Sequence, residues 1–220
     1  YQNEALVATG ALFYSDLQDF IVPDNLGTGF EEFESGETVY TDNGPNDGEI
    51  SAVGLELHMG YDFGLAKDAS YSLPVTLGLT WTEAEFESGA RSADGESIFS
   101  GAKDGNEVPY IPEIQLHAGI GLATGKYRFN LDGTYVGDSS ASGANGSGPY
   151  NYAGKYDSRY GEIDSYFVAD LTVRYDVSDS TNVFATARNV FDEEYVVGRL
   201  PQGARPGMPQ QFLFGIDSKF

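Results

Sequence analysis

The sequence predicts an all-β chain, an antiparallel up-and-down transmembrane β-barrel wall of about eight strands. Three observations predict it. Apolar residues recur at every second position in one segment after another, the period of a strand with two unlike faces. The connectors alternate long and short, so in an up-and-down sheet every long loop falls on the same rim. The chain also runs out on FLFGIDSKF (212–220), an apolar stripe that water would leave as an exposed, aggregation-prone edge.

The first predicted strand, near 4–22, contains ALFYSDLQDFIV. The second, 49–63, sets Val53, Leu55, Leu57, Met59, Tyr61 and Phe63 against Gly54, Glu56, His58, Gly60 and Asp62. In the third, 72–87, Leu73, Val75, Leu77, Leu79 and Trp81 oppose Thr76, Gly78, Thr80 and Thr82. The fourth, 109–123, turns Ile114, Leu116, Ala118, Ile120 and Leu122 away from Gln115, His117, Gly119 and Gly121. Strands five to eight follow at 126–137, 163–177, 181–196 and 209–220, with Phe129, Leu131, Phe167, Leu171 and Val173 on the apolar side. The connectors 23–48, 88–108 and 138–162 are long, and 197–208 is intermediate. Residues 64–71 form a shorter link, while Thr124-Gly125 and Ser178-Asp179-Ser180 are tight turns.

In a bilayer the apolar face meets lipid, with aromatics gathered near the strand ends as interfacial girdles. A charge at mid-membrane on that face costs about 2–4 kcal/mol, so Arg128, Arg174 and Asp170 are expected on the lumen side. Two other architectures fit the same alternation. One is a complete eight-stranded barrel with a structural or adhesion role, its lumen filled by side chains. The other is a soluble lipocalin-like barrel with the apolar face turned inward. Gly54, Gly60, Gly78, Gly119 and Gly121 leave space on the polar face, which suits an open piece of a wide barrel. The first and last strands are then expected not to pair.

Composition narrows function. Asp and Glu outnumber Lys and Arg by 34 to 12, a net charge of −22 that repels phosphate backbones and excludes nucleic-acid binding. Without cysteine there is neither a disulfide framework nor a thiolate site. No apolar run is long enough for a transmembrane helix, and the start YQNEALVATG does not read as a signal peptide. Such a chain is cytosolic, already processed, or the downstream piece of something longer.

The stretch ARNVFDEEYV (187–196) resembles the "NLFD..Y" penultimate strand of TonB-dependent outer-membrane receptors. RLPQGARPGMPQQFLFGIDSKF (199–220) is similar to that family's last loop and its final strand ending in Phe. VPYIPEIQLHAGIGL, LDGTYVGD, IDSYFVADLTVRYDV and AVGLELHMGYDF extend the likeness over most of the chain, and PYIP with GARPG resembles the ferric-citrate or siderophore receptor type. Pro209-Gln210 departs from a common Pro-Arg, and Leu200 stands where a basic residue is frequent.

The resemblance implies a barrel of about 22 strands with a plug in its lumen. Residues 1–220 would be the C-terminal portion, with the plug and the other strands lying outside this chain. It implies active uptake of a scarce solute, a ferric siderophore or ferric-citrate-like chelate, across the outer membrane of a Gram-negative cell. The implied partners are the TonB-ExbB-ExbD complex through the plug, the barrel-assembly machinery through Phe220, the lipid bilayer and lipopolysaccharide. It calls for no cofactor and no enzyme, and no nucleophile elbow or H-E-x-x-H stands in the chain.

Candidate chemistry lies in the long loops. Tyr150, Tyr152, Tyr156 and Tyr160 follow SSASGANGSG, aromatic anchors beside a flexible run that suit a closing ligand loop. A loop packed on its neighbours has the same composition. Arg159, Arg199 and Arg205 are scarce rim cations, fit either to grip an anionic ligand or to pair with the acidic surface. Asp42, Asp47 and Glu49 in TDNGPNDGE place oxygens close enough for a divalent cation, although the spacing is not that of an EF-hand and a solvated acidic loop reads equally. His58 and His117 share the polar face without a third ligand at metal spacing.

Overall fold

The computed structural model describes residues 5–20, 30–32, 38–40, 48–88, 98–99, 101–151, 154–200 and 203–219. Among them eight long strands form one antiparallel sheet in chain order: β1 (Leu6–Phe20), β2 (Gly48–Asp62), β3 (Pro74–Ser88), β4 (Ile114–Thr124), β5 (Tyr127–Val136), β6 (Tyr166–Ser178), β7 (Thr181–Arg188) and β8 (Gln211–Ser218). Each matches a predicted strand. A short piece, Tyr71–Ser72, adds to β4 beside the start of β3.

The register carries the two-faced pattern across the whole sheet. One rung runs Leu6, Tyr61, Val75, Ile120, Leu131, Leu171, Ala187, Phe212, each residue directly opposite the next. Directly opposed residues share a face, so this single rung aligns all eight strands with no slip. Another joins Leu57, Leu79, Leu116, Tyr135 and Phe167. Many side chains of this face stand exposed: Leu57 is 45%, Leu131 44% and Phe214 80% accessible. Such a face covers several strands and requires an apolar surrounding. Rings bracket it, with Tyr127 against Tyr175 at 4.9 Å near the short turns and Phe167 against Phe191 at 6.3 Å near the long connectors.

Arg128, Arg174 and Asp170 lie on the opposite face, as do His58 and His117, which flank Gly78 on one rung. That face sets like charges directly opposite: Arg128 faces Arg174, and Asp132 faces Asp170. Such pairs destabilise a sheet unless they are compensated. Asp176 receives Arg128 at 2.6 Å and Asp217 meets Arg174 at 3.7 Å. Asp170 accepts the backbone N–H of Asn189 at 2.9 Å, and Asp132 lies 3.8 Å from His117.

The glycines correct one expectation. Gly60 and Gly78 do leave room for a side chain, but at Gly54 the ring of Phe13 already occupies the place of a Cβ. Phe184 covers Gly215 in the same way, and Thr76 with Asp132 fills the space at Gly119. Most of these positions are glycine because a neighbour lies over the backbone, not because the lumen needs volume.

Two strand ends differ from the prediction. β4 begins at Ile114 rather than near 109, because two prolines flank a Tyr110 at φ 63°. β7 stops at Arg188 because Asn189 (φ 47°) and Asp192 (φ 53°) turn the chain through the left-handed region. The 64–71 link is a 3-10 turn (Leu65–Lys67) held by Asp62, which accepts the N–H groups of Gly64, Leu65 and Leu73 and the hydroxyl of Ser72.

β1 pairs with β2 and β8 with β7, and the two edge strands do not pair with each other. The sheet is an open wall, which sets aside the self-contained eight-stranded barrel.

Candidate functional site

All four long connectors, 21–47, 89–113, 137–165 and 189–210, leave from the same rim, opposite the short turns. Among the described residues the last three pack together. Phe86 from the top of β3 is 1% exposed beneath Phe99, Val108 and Ile50. Residues 105–113 run back along β3, donating from Val108 N to Ala84 O at 2.9 Å and accepting from Thr82 N at Glu113 O at 2.9 Å. Connector 137–165 enters and leaves through a two-rung ladder, Ser139–Ser140 against Glu162–Ile163. Ala141, Tyr160, Ile163 and Leu200 are all buried there. Loops this long are ordered by burying their own apolar groups.

Tyr150 and Tyr156 are brought together. They close a hairpin tip, rings 6.1 Å apart and nearly perpendicular, and both are exposed at 56% and 72%. The tip is held by Asn151 N to Lys155 O, Gly154 N to Asn151 O and Asp157 N to Pro149 O. Tyr152 lies outside the described residues. Tyr160 is placed differently from the expectation. It is buried at 1%, so its ring offers no surface to a ligand.

Arg159 grips Asp157 through Nε and Nη2, at 3.0 and 2.8 Å, and holds that carboxyl below the usual range. Among the described residues Arg199 has no carboxylate partner. Its guanidinium donates to the carbonyls of Glu162 (3.0 Å) and Ser158 (3.2 Å). Arg205 is exposed on a second short ladder, opposite Gly198, and its guanidinium lies over that glycine. Glu49 opens β2 and pairs with Ser88, while Asp42, Asp47 and Phe220 lie outside the described residues. Among the described residues no three His, Asp or Glu side chains converge to hold a metal ion.

Negative charge concentrates between β3 and the connectors. Glu83, Glu85, Glu107, Glu113 and Asp138 line a cavity of about 250 Å³ beside Tyr135. Close by, burial pushes the Glu162 carboxyl up, and the carboxylate of Asp138, hydrogen-bonded to it, pushes it further, with Asp164 and Glu107 adding to the effect. A carboxyl raised in the folded state binds its proton more tightly there than in the unfolded chain. Its contribution is therefore complete below the ordinary carboxylate range and is lost as pH rises through the raised value. Amide exchange in 139–163, corrected for its intrinsic pH dependence, is expected to be slower at mildly acidic than at alkaline pH. Glu162→Gln should remove that dependence.

Sequence reasoning missed Asn189. It is 3% exposed, and its Nδ2 donates to the carbonyls of Glu193 (2.9 Å) and Met208 (3.0 Å) while its Oδ1 accepts from Glu193 N (2.9 Å). Gln210 adds a bond to Val190 O at 2.9 Å, and Tyr195 lies over Gly207. NVFDEEY is thus a knot fastening the last connector at both ends. An asparagine opening a turn after an alternating strand was the available signal.

Comparison with known proteins decides the family. A family model described as "TonB dependent receptor-like, beta-barrel" matches residues 1–190. The chain belongs to the TonB-dependent receptor family. No match was found among curated protein sequences. Among solved structures, the chain is similar to the ferric citrate transporter FecA in unliganded form, at 20% identity and TM-score 0.69, covering 98% of this chain and 29% of that one. It is likewise similar to the siderophore receptor PiuA from Acinetobacter baumannii, at 16% identity and TM-score 0.70, covering 100% and 27%. The ferric-catecholate import receptor Fiu from K12 E. coli aligns at 20% identity and TM-score 0.65, covering 99% and 26%. At these identities the likeness concerns the fold, and this chain spans under a third of each receptor's length. The TonB-dependent barrel explains the open sheet, because a wall of eight strands is part of a wider ring.

Proposed function

We propose that the chain is the C-terminal portion of the barrel of an outer-membrane receptor that takes up a scarce solute, a ferric siderophore or similar chelate. The observation that carries this reading is the open eight-strand wall, with one lipid-ready face, all its long loops on one rim, and a TonB-dependent receptor match over 1–190. The wall supplies the membrane seal and one side of the outer vestibule. A plug elsewhere in the protein, moved by TonB with ExbB and ExbD, supplies gating and energy. Assembly by the barrel machinery through Phe220, and a lipopolysaccharide surround, belong to the same reading.

Among the described residues the exposed pair Tyr150 and Tyr156 is the best-presented ligand contact, with Arg159, Arg199 and Arg205 on the same rim; Tyr152 belongs to the same reading from sequence. The carboxylate-lined cavity disfavours approach by a highly anionic complex such as ferric citrate. Neutral or cationic chelates suit this rim better.

Uptake of radio-iron chelates by cells carrying or lacking the full receptor gene tests the reading. Receptor-dependent uptake is expected to vanish with a protonophore while surface binding persists. Replacing Tyr150 and Tyr156 together by Ala is expected to weaken that binding about tenfold or more. Equal uptake with and without the gene, for every ferric chelate tried, would overturn the proposal.

A further inference from the structure

We infer that the described residues of connectors 89–113, 137–165 and 189–210 form one closed ring of links and respond as a single body, with Tyr110 and Arg199 as its two pins. Each connector is bonded to both of the others. The first link joins 89–113 to 137–165. Tyr110 N donates to Ser140 O (3.0 Å), Gly143 N to Ile98 O (2.7 Å), Asn106 Nδ2 to Gly143 O (2.6 Å), and Glu107 exchanges bonds with the side chain of Asn145. The second joins 89–113 to 189–210, because the Tyr110 hydroxyl accepts the backbone N–H groups of Arg199 (3.3 Å) and Leu200 (2.9 Å). The third joins 137–165 to 189–210 through the Arg199 guanidinium on the carbonyls of Ser158 and Glu162.

Local geometry shows that these pins are specific. Tyr110 takes φ 63°, uncommon for a bulky non-glycine residue and costly. That backbone, between Pro109 and Pro112, aims the ring across to the neighbouring connector. Leu200 beside the acceptor is 2% exposed, so its N–H, removed from water, depends on the tyrosine hydroxyl. Arg199 places its charge on carbonyls in a rim crowded with carboxylates, which fixes backbone to backbone and not surface to surface.

A ring of three links behaves differently from three separate contacts. Breaking one link leaves every member still attached through the other two. Breaking the two that reach 189–210 releases it. The pins are therefore positioning residues whose effects are coupled, and a ligand touching one connector shifts the others with it.

Amide exchange on the full receptor, in detergent or outer-membrane vesicles, tests this with Tyr110→Phe, Arg199→Ala and the double variant. Each single change is expected to speed exchange in 196–198, whose amides touch neither pin, by about threefold or less, and the pair by about thirtyfold or more. Exchange in β5 and β6 should stay unchanged in all three. A double variant equal to the product of the singles would overturn the inference, as would a single variant that already shows the full effect. Loss of protection in the strands from Tyr110→Phe would also count against it, since the hydroxyl touches only the connector. None of these outcomes depends on which ligand the receptor carries.

Discussion

Asn189→Ala is expected to destabilise the folded barrel by about 3 kcal/mol or more. Three hydrogen bonds end on this one side chain, and their partners at Glu193 and Met208 would be left without it at a site only 3% exposed. Each lost bond of that kind costs about 1 kcal/mol, more where the partner stays buried. The backbone adds to this, because φ 47° suits asparagine better than alanine. Asn189→Asp keeps the acceptor for Glu193 N and forfeits both donations, so it should fall between wild type and the alanine variant. Urea unfolding of the full receptor in detergent, followed by the loss of heat-modifiable mobility on gels, gives the ranking. Equal midpoints for Asn189→Ala and wild type would show that the knot is not what fastens the last connector.

Leu131→Arg is expected to cost about 2–4 kcal/mol, whereas the same change next door, Asn130→Arg, should cost less than about 1 kcal/mol. Leu131 belongs to the rung that crosses all eight strands. It lies between the Tyr127 ring near the short turns and Tyr135 toward the connectors. A guanidinium there enters hydrocarbon with no polar neighbour on its rung. Asn130 opposes Gly121 and Thr172 on the face that already holds Arg128 and Arg174. Refolding yields into lipid vesicles of defined thickness measure both variants. Equal costs at the two positions would mean that the faces are assigned the wrong way round.

Why the strands could be read and much of the rim could not follows from the physics of each. A strand crossing a bilayer must separate its faces residue by residue, so Val53 to Phe63 or Phe167 to Val173 declares itself by period alone. The connectors obey no period. Tyr160 and Tyr156 look alike in sequence, yet one is buried and the other stands at a hairpin tip, because burial there is set by how the connectors fold and not by any local period. Arg199 looked like a candidate for a carboxylate partner and instead binds carbonyls, a choice that depends on where Ser158 and Glu162 happen to lie. The glycines show the same limit: Gly54 and Gly78 read identically, but Phe13 covers only one of them.

These eight strands are an open piece of a wide barrel wall. Spin labels at Leu6 and Phe212, in the full receptor in bilayers, test this most directly, since the two positions end the same rung seven strand steps apart. At ~4.8 Å per step the labels should lie about 30 Å apart in a wide ring. A distance under about 15 Å would place β1 beside β8, close the sheet on itself, and contradict the account.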